Sequence, residues 1–239
     1  MRFTEEHLHT PGMQLACDDV LLDLCDANPG RETLRVWSPE TYFVVAGYTN
    51  RILEEVHVDA CVTRGIPLYR RTSGGGTVVQ GPGCLNYSVI LRIERDAALE
   101  NITSTGSYVL ERIARAVSRL AGLPVAHQGH TDLVSGGRKF SGNAQRRKSN
   151  AVLFHGTLLL DFDMDIIEEL LPMPGHQPEY REGRSHQEFL VNLGLDAAEL
   201  TAALRREWDA TTAYGQLPLE EIRALAETRY LNHDWTYRF

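Results

Sequence analysis

Three consecutive glycines, Gly74, Gly75 and Gly76, follow Arg70, Arg71 and Ser73 in the segment YRRTSGGGTVVQGPGCLNYSVIL. A backbone without Cβ atoms can take positive φ and lie directly against a ligand. Two fixed positive charges beside it suit an anionic, phosphate-bearing ligand. A tight turn between two strands is the competing reading, and the paired arginines tilt the balance toward binding. A second stretch, GGRKFSGNAQRR, carries Lys139 just before the small residues Ser141, Gly142, Asn143 and Ala144. Lysine is ordinarily a solvated surface charge. Projected among small residues, it would instead stabilise negative charge on a carboxylate, a phosphate or a tetrahedral oxyanion.

Two further residues are candidates. His155 interrupts the apolar run LFHGTLLL, where a hydrogen-bonded core histidine is the ordinary reading. Asp132, in HTDLV, has a cap or turn role by default; beside a phosphate it could help hold Mg²⁺, which takes one or two carboxylates plus substrate oxygens. No His/Cys/Asp set has metal-ligand spacing, and no GxxxxGK[ST], GxGxxG or GxSxG motif occurs. The four cysteines, Cys17, Cys25, Cys61 and Cys84, form no CxxC pair and fit a reducing compartment.

These residues need elements to hold them. Apolar residues at Met13, Ala16, Cys17, Val20, Leu21 and Leu24 predict a helix from Pro11 to about Asn28, stopped by Pro29-Gly30. Short strands are expected at Leu34–Trp37, Tyr42–Ala46 and Leu68–Arg70, with a short helix over Arg51–Thr63 ending near Gly65. Trp37 and Tyr42 read as core or edge packing. After the glycine loop comes a strand from Asn86 through Ile93, then a helix over Ser104–Ala121 with Gly122 as a left-handed stop. A β-rich block covers Val125–Asp161, and Arg146-Arg147-Lys148 within it reads as a solvated turn or a contact for an acidic partner. The remainder is helical: Asp163 or Asp165 caps a helix through Leu171, Asp196 caps one carrying Leu200, Leu204 and Trp208, and a third spans Leu219–Thr228. The polar loop Pro172–Ser185 lies between. Strands and helices alternate in irregular blocks, which predicts an α+β domain around a mixed or antiparallel sheet rather than a doubly wound one.

The 239 residues, 43% hydrophobic and 23% charged, suffice for a buried core. A formal charge of −8 argues against a bulk nucleic-acid binder. The N-terminus has no apolar segment of signal-peptide type and no run approaches the ~20 residues that span a bilayer, so a soluble, cytoplasmic protein with no membrane association is expected.

RRTSGGGTVVQGPGCLNYS resembles the signature of the lipoate-protein ligase family. DLVSGGRKFSGNAQRRKSNAVLFHGTLLLDFD is similar to that family's Lys-x-Ser-Gly-x-Ala segment followed by His-Gly-Thr-Leu-Leu. The resemblance covers most of the chain and implies the biotin/lipoate ligase fold, a mixed sheet flanked by helices. It also implies an activity: lipoate and ATP·Mg²⁺ give lipoyl-AMP and pyrophosphate, and the lipoyl group moves to a lysine of an acceptor domain. That acceptor would belong to a 2-oxoacid dehydrogenase E2 protein or be a glycine-cleavage H-like protein. By position Lys139 corresponds to the lysine that contacts the acyl carbonyl and phosphate. Ser73 and Gly74 to Gly76 correspond to the loop against the acyl-adenylate, and Arg71 to an arginine beside the substrate. Asp132 corresponds to a polar position near the nucleotide, where the resemblance implies it as a ligand of Mg²⁺. The implied binding set is Arg70, Arg71, Ser73, Gly74, Gly75, Gly76, Thr77, Val78, Asn86, Asp132, Ser141, Gly142, His155, Gly156 and Thr157, with Lys139 catalytic.

The same superfamily includes octanoyl and lipoyl transferases that use no ATP and form a thioester on a cysteine. In one group that cysteine precedes the lysine segment, where this chain has Gln128-Gly129-His130; in another it falls where this chain has Pro172-Met173-Pro174. Cys84 alone adjoins the glycine loop, in a GPG context closer to the transferases. A non-catalytic lipoyl-binding relative is the third possibility. Residues 1–239 are expected to form one catalytic domain without the accessory domain of many ligases, so a separate accessory subunit is a possible partner. The loop His176–Phe189, with Tyr180, Arg181, Arg184 and His186, has no assigned task.

Overall fold

The computed structural model describes residues 1–239. Along the chain come β1 (Arg2–Thr4), α1 (Pro11–Ala27), β2 (Thr33–Trp37), β3 (Phe43–Ala46), α2 (Ile52–Glu55), α3 (Val58–Arg64), β4 (Leu68–Arg70), β5 (Val78–Gln80) and β6 (Cys84–Arg92). Then follow α4 (Ile102–Ala121), β7 (Ala126–Gln128), β8 (Asp132–Ser135), β9 (Arg138–Arg147) and β10 (Ala151–Leu159). The last part holds α5 (Asp165–Leu170), α6 (His186–Phe189), α7 (Ala197–Glu207), β11 (Thr212–Ala213), α8 (Leu219–Leu225), a π turn (Ala226–Tyr230) and α9 (His233–Thr236).

Eight strands form the main sheet in the order β11-β1-β2-β6-β10-β9-β8-β7, parallel at β11-β1-β2 and antiparallel beyond. A second sheet has the order β4-β3-β5. This is the mixed α+β architecture that the irregular blocks predict. Period-two alternation gives the main sheet two different faces. Val36, Tyr87, Val89 and Phe154 point to one side and pack on Val109, Ile113, Leu200 and Leu204 of α4 and α7. Trp37, Ile90 and Leu153 point to the other side, against Cys17 and Leu21 of α1 and Phe43 and Val45 of the small sheet. The far side of the small sheet is covered by α2, α3 and α5 through Val44, Ile52, Cys61 and Ile166.

Local chemistry explains the helix ends. Thr10 Oγ1 accepts from Met13 N and Pro11 sits in the first turn of α1. Asn101 and Asp196 cap α4 and α7, and Gly122 ends α4 at φ 65°. The single helix expected over Arg51–Thr63 is instead α2 and α3, broken at Val56-His57, where the chain extends and His57 N bonds to Leu170 O. Arg146 and Arg147 are not in a solvated turn: they end β9, with Arg147 donating to Leu99 O and Thr105 Oγ1. Asp163 Oδ1 accepts from Asp165 N just ahead of α5. The helix expected through Thr228 widens into the π turn after Leu225. No helix is long and apolar enough to cross a membrane.

Candidate active site

A cavity of about 1000 Å³ opens between the main sheet and the small sheet. Leu15, Trp37, Phe43 and Val45 wall an apolar end; Asp132, Lys139, Asn143 and Thr157 line a polar part; the loop Pro172–Pro178 contributes a third wall. The reason lies in the strand register. Asn86 stands opposite Thr157, Ser88 opposite His155, Thr157 opposite Gly142 and His155 opposite Ala144. Cross-strand partners share a face, so a row of small and polar side chains fronts the cavity.

Lys139 reaches this face because of a bulge. Strict alternation along β9 would put Lys139 on the same side as Ser141, which pairs with Leu133 and Leu158 of the opposite core. Between β8 and β9 the register shifts: Leu133 faces Ser141, but the next residue, Val134, faces Lys139. The extra residue in β9 turns Lys139 to the cavity side. There its Nζ lies 2.7 Å from Asp132 Oδ1, while Asp132 Oδ2 accepts from Tyr180 Oη at 2.7 Å. A Cβ on Gly142 would come 3.0 Å from the Lys139 Nζ, so glycine leaves room for the folded-back lysine.

Arg71 holds the glycine loop from beneath. Its guanidinium donates to Gly74 O (3.1 and 2.6 Å), to Gly76 O (2.8 Å) and to Val45 O (3.3 Å). These partners are all carbonyls, so the buried charge meets dipoles rather than a carboxylate. Burial lowers the Arg71 pKa to about 10, which leaves it cationic at neutral pH. Glu55 favours the cation from a distance, but no carboxylate touches the guanidinium, and an anion entering the cavity would offset part of its burial cost. Gly75 takes φ 87°, the left-handed region, with its missing Cβ 2.9 Å from Arg71 Nη2. Arg70 behaves differently from the expectation. Adjacent residues of a strand point oppositely, and its guanidinium turns away from the cavity to Gly47 O, Tyr48 O, Asn50 O and Thr236 O.

Ser73 Oγ and His155 Nε2 are 2.6 Å apart. Burial, with Arg71's charge second, pushes the His155 pKa down to about 3, so the imidazole is neutral and ties the glycine segment to the sheet. Asn86, Thr157 and Gln80 close a ring of hydrogen bonds: Thr157 Oγ1 to Asn86 Oδ1 (2.6 Å), Asn86 Nδ2 to Gln80 Oε1 (2.9 Å), Gln80 Nε2 to Thr157 Oγ1 (2.6 Å). Gly75, Gly76, Thr77, Val78, Gly142 and Gly156 line the cavity, as does Ser141, whose Oγ lies 3.3 Å from Asn143 Oδ1. Ser73 and Gly74 stand behind the lining.

Asn143 and Asp18 are wall residues without a sequence assignment. Asn143 accepts from Tyr87 Oη at 2.5 Å and fixes the segment before Asp132 through Thr131 O. Asp18, paired with Arg35 at 2.6 Å and accepting from Ser88 Oγ, sits at the apolar end; an acidic residue inside an apolar helix pattern was its one signal. Trp37, read as packing, also lines the cavity. None of the four cysteines lines it. Cys84 is buried among aliphatic side chains, and burial pushes its thiol up to about 12. Asp132 is the carboxylate beside Lys139, and both its oxygens are engaged. With Lys139 released, Asp132 Oδ1 together with phosphate oxygens would match the donor set that Mg²⁺ takes.

This α+β fold with its cavity is that of a known family of catalytic domains. Residues 10–208 match the lipoyl protein ligase A/B catalytic domain. The chain belongs to that family. It is 26% identical over 97% of its length to lipoate-protein ligase LplJ of Bacillus subtilis, covering 72% of that protein. It is also 26% identical over 99% of its length to octanoyltransferase LipM of Brevibacillus brevis, covering 98% of it. A structure of a bipartite lipoate protein ligase from Thermoplasma acidophilum, described with its E2 lipoyl domain, superposes with a TM-score of 0.84 at 25% identity. The match covers 99% of this chain and 95% of that one.

Proposed function

We propose that this chain is an ATP-dependent lipoate-protein ligase that makes lipoyl-AMP from lipoate and ATP. It then transfers the lipoyl group to a lysine of a lipoyl-acceptor domain. The observation that carries the reading is a cavity with an apolar end, a lysine, a buried guanidinium bonded only to carbonyls, and no thiol on its wall. The apolar end suits the acyl tail. The polar part suits the carboxyl and the nucleotide phosphates.

In the first step a carboxylate oxygen of lipoate attacks the α-phosphorus and the bond to pyrophosphate breaks. Lys139, released from Asp132, stabilises the charge on the phosphoryl and carbonyl oxygens. In the second, the neutral ε-amine of the acceptor attacks the carbonyl carbon, AMP leaves with the bonding electron pair, and the amine's surplus proton passes to solvent. Asp132, with the nucleotide's phosphate oxygens, would hold Mg²⁺, which neutralises phosphate charge when bound. The acceptor fits a 2-oxoacid dehydrogenase E2 domain or a glycine-cleavage H-like protein. The Thermoplasma relative is a bipartite ligase, which supports a separate accessory subunit as a partner of this chain.

Octanoyl transfer is the alternative that the LipM relatives support. It requires a thiolate, and each cysteine is buried, with Cys84 held at about 12. The experiment is to incubate the purified chain with lipoate, ATP and Mg²⁺ and follow pyrophosphate release, in parallel with octanoyl-carrier protein and a mass spectrum. Lipoyl-AMP and pyrophosphate are expected; no adenylate together with an octanoyl thioester on Cys84 would sink the ligase reading.

A further inference from the structure

The chain's last fourteen positions do not line the cavity, yet through Asp19 and Arg70 they are linked to two of the loops that form part of its wall. The carboxylate of Asp19, 5% exposed in the middle of α1, is the first junction. Its Oδ1 accepts from Thr72 Oγ1 at 2.6 Å, one residue before Ser73. Its Oδ2 accepts from both Arg229 Nη1 (2.9 Å) and Tyr230 Oη (2.8 Å) of the π turn. The widened turn, closed by Leu231 N to Ala226 O, is what presents both neighbours to one oxygen.

Arg70 is the second junction. Its carbonyl accepts from Trp235 Nε1 at 2.8 Å, and its guanidinium returns to Thr236 O while also holding Gly47, Tyr48 and Asn50. The 47–50 segment touches the glycine loop: Tyr48 N bonds to Ser73 O at 2.9 Å, and a Cβ on Gly47 would overlap Gly75 O. Thr49 and Asn50 line the cavity. The Phe239 ring, 5.3 Å from the Arg70 guanidinium carbon, closes the stack.

We propose that the segment Ala226–Phe239 is a brace that positions the glycine loop and the 47–50 loop, and through them sets the affinity for the acyl ligand. The affinity part rests on the ligase reading; the loop-positioning part does not. Arg229, Tyr230 and Trp235 are positioning residues: they act through Asp19 and Arg70 and meet no substrate.

The test uses the full chain carrying Arg229→Ala with Tyr230→Phe, which removes both donors to Asp19 Oδ2 and keeps the aromatic ring. Hydrogen exchange without any ligand should run about tenfold or more faster at the amides of 72–77, with β9 and β10 unchanged. The KM for lipoate should rise about tenfold with kcat within about twofold, since the reacting groups are untouched. Arg229→Lys should restore most of the affinity, and Leu231→Ala, exposed on the same turn, should leave both readouts unchanged. Trp235→Phe, which loses one hydrogen bond, supplies the same readouts should the double variant not fold. Unchanged exchange at 72–77 overturns the brace, and accelerated exchange with an unaltered KM overturns its part in setting acyl-ligand affinity. Faster loop exchange in a chain that never forms an adenylate would remove the ligase reading and leave the brace standing.

Discussion

Lys139 Nζ and Asp132 Oδ1 lie 2.7 Å apart because a bulge in β9 brings the lysine to the side of the sheet that faces the cavity. The pair is partly exposed, so it contributes about 1 kcal/mol or less to stability. Under the proposed ligase function its importance is chemical, because the pair keeps the ammonium at the polar part of the cavity. Lys139→Ala should therefore lower adenylate formation by about two to three orders of magnitude. Its melting temperature should stay within a few degrees of the parent. Pyrophosphate release and a thermal melt on the same preparation check both halves, and near-parental turnover would refute the role.

The glycine triplet should divide by position. Gly75→Ala forces a side chain into φ 87° with its Cβ 2.9 Å from Arg71 Nη2, so a loss of roughly 1–3 kcal/mol and a weaker grip of Arg71 on the loop are expected. Nothing lies within 4 Å of a Cβ at Gly74 or Gly76. Their alanine variants should keep the parental melting temperature. A drop in lipoate or ATP affinity there, measured by calorimetry, would locate the ligand against that loop.

Cys84→Ala tests the thioester path. Cys84 is 2% exposed, and its thiol, pushed up to about 12, is not a nucleophile at neutral pH. The substitution should cost about 1 kcal/mol in packing and leave at least half of the activity. Abolished acyl transfer in a folded variant would reverse the assignment.

His155 gives a pH dependence with a definite sign. Its pKa is about 3 in the folded chain against 6.5 for the ordinary side chain, so between these values the unfolded state binds more protons. Its contribution is complete above pH 6.5 and is lost as pH falls toward 3, about 2 kcal/mol by pH 5. His155→Gln should flatten that part of the stability profile. Denaturant unfolding at pH 5 and pH 7.5 measures the difference.

Much of the fold was legible because it is written in local patterns. The helices of α1, α4 and α7 follow from periodicity, caps and a glycine stop, and the glycine triplet and lysine segment were legible as motifs. What misled were features that depend on neighbours. Arg70 and Arg71 are equivalent in sequence, yet one holds the glycine loop and the other the C-terminal turn, since strand alternation separates them and only packing says which side is the cavity. The 51–63 stretch has helical residues throughout, but a bond from His57 to Leu170, far along the chain, breaks it in two.

By itself the sequence determined the classes of elements and the family. The tertiary structure decided which groups meet. A one-residue bulge sends Lys139 to Asp132, cross-strand register gathers Asn86, His155 and Thr157, and burial keeps His155 neutral and Cys84 protonated. Side-chain direction in a sheet has a period of two, so one inserted residue reverses it. Desolvation depends on everything packed around a group, and neither is a property of a local stretch of residues.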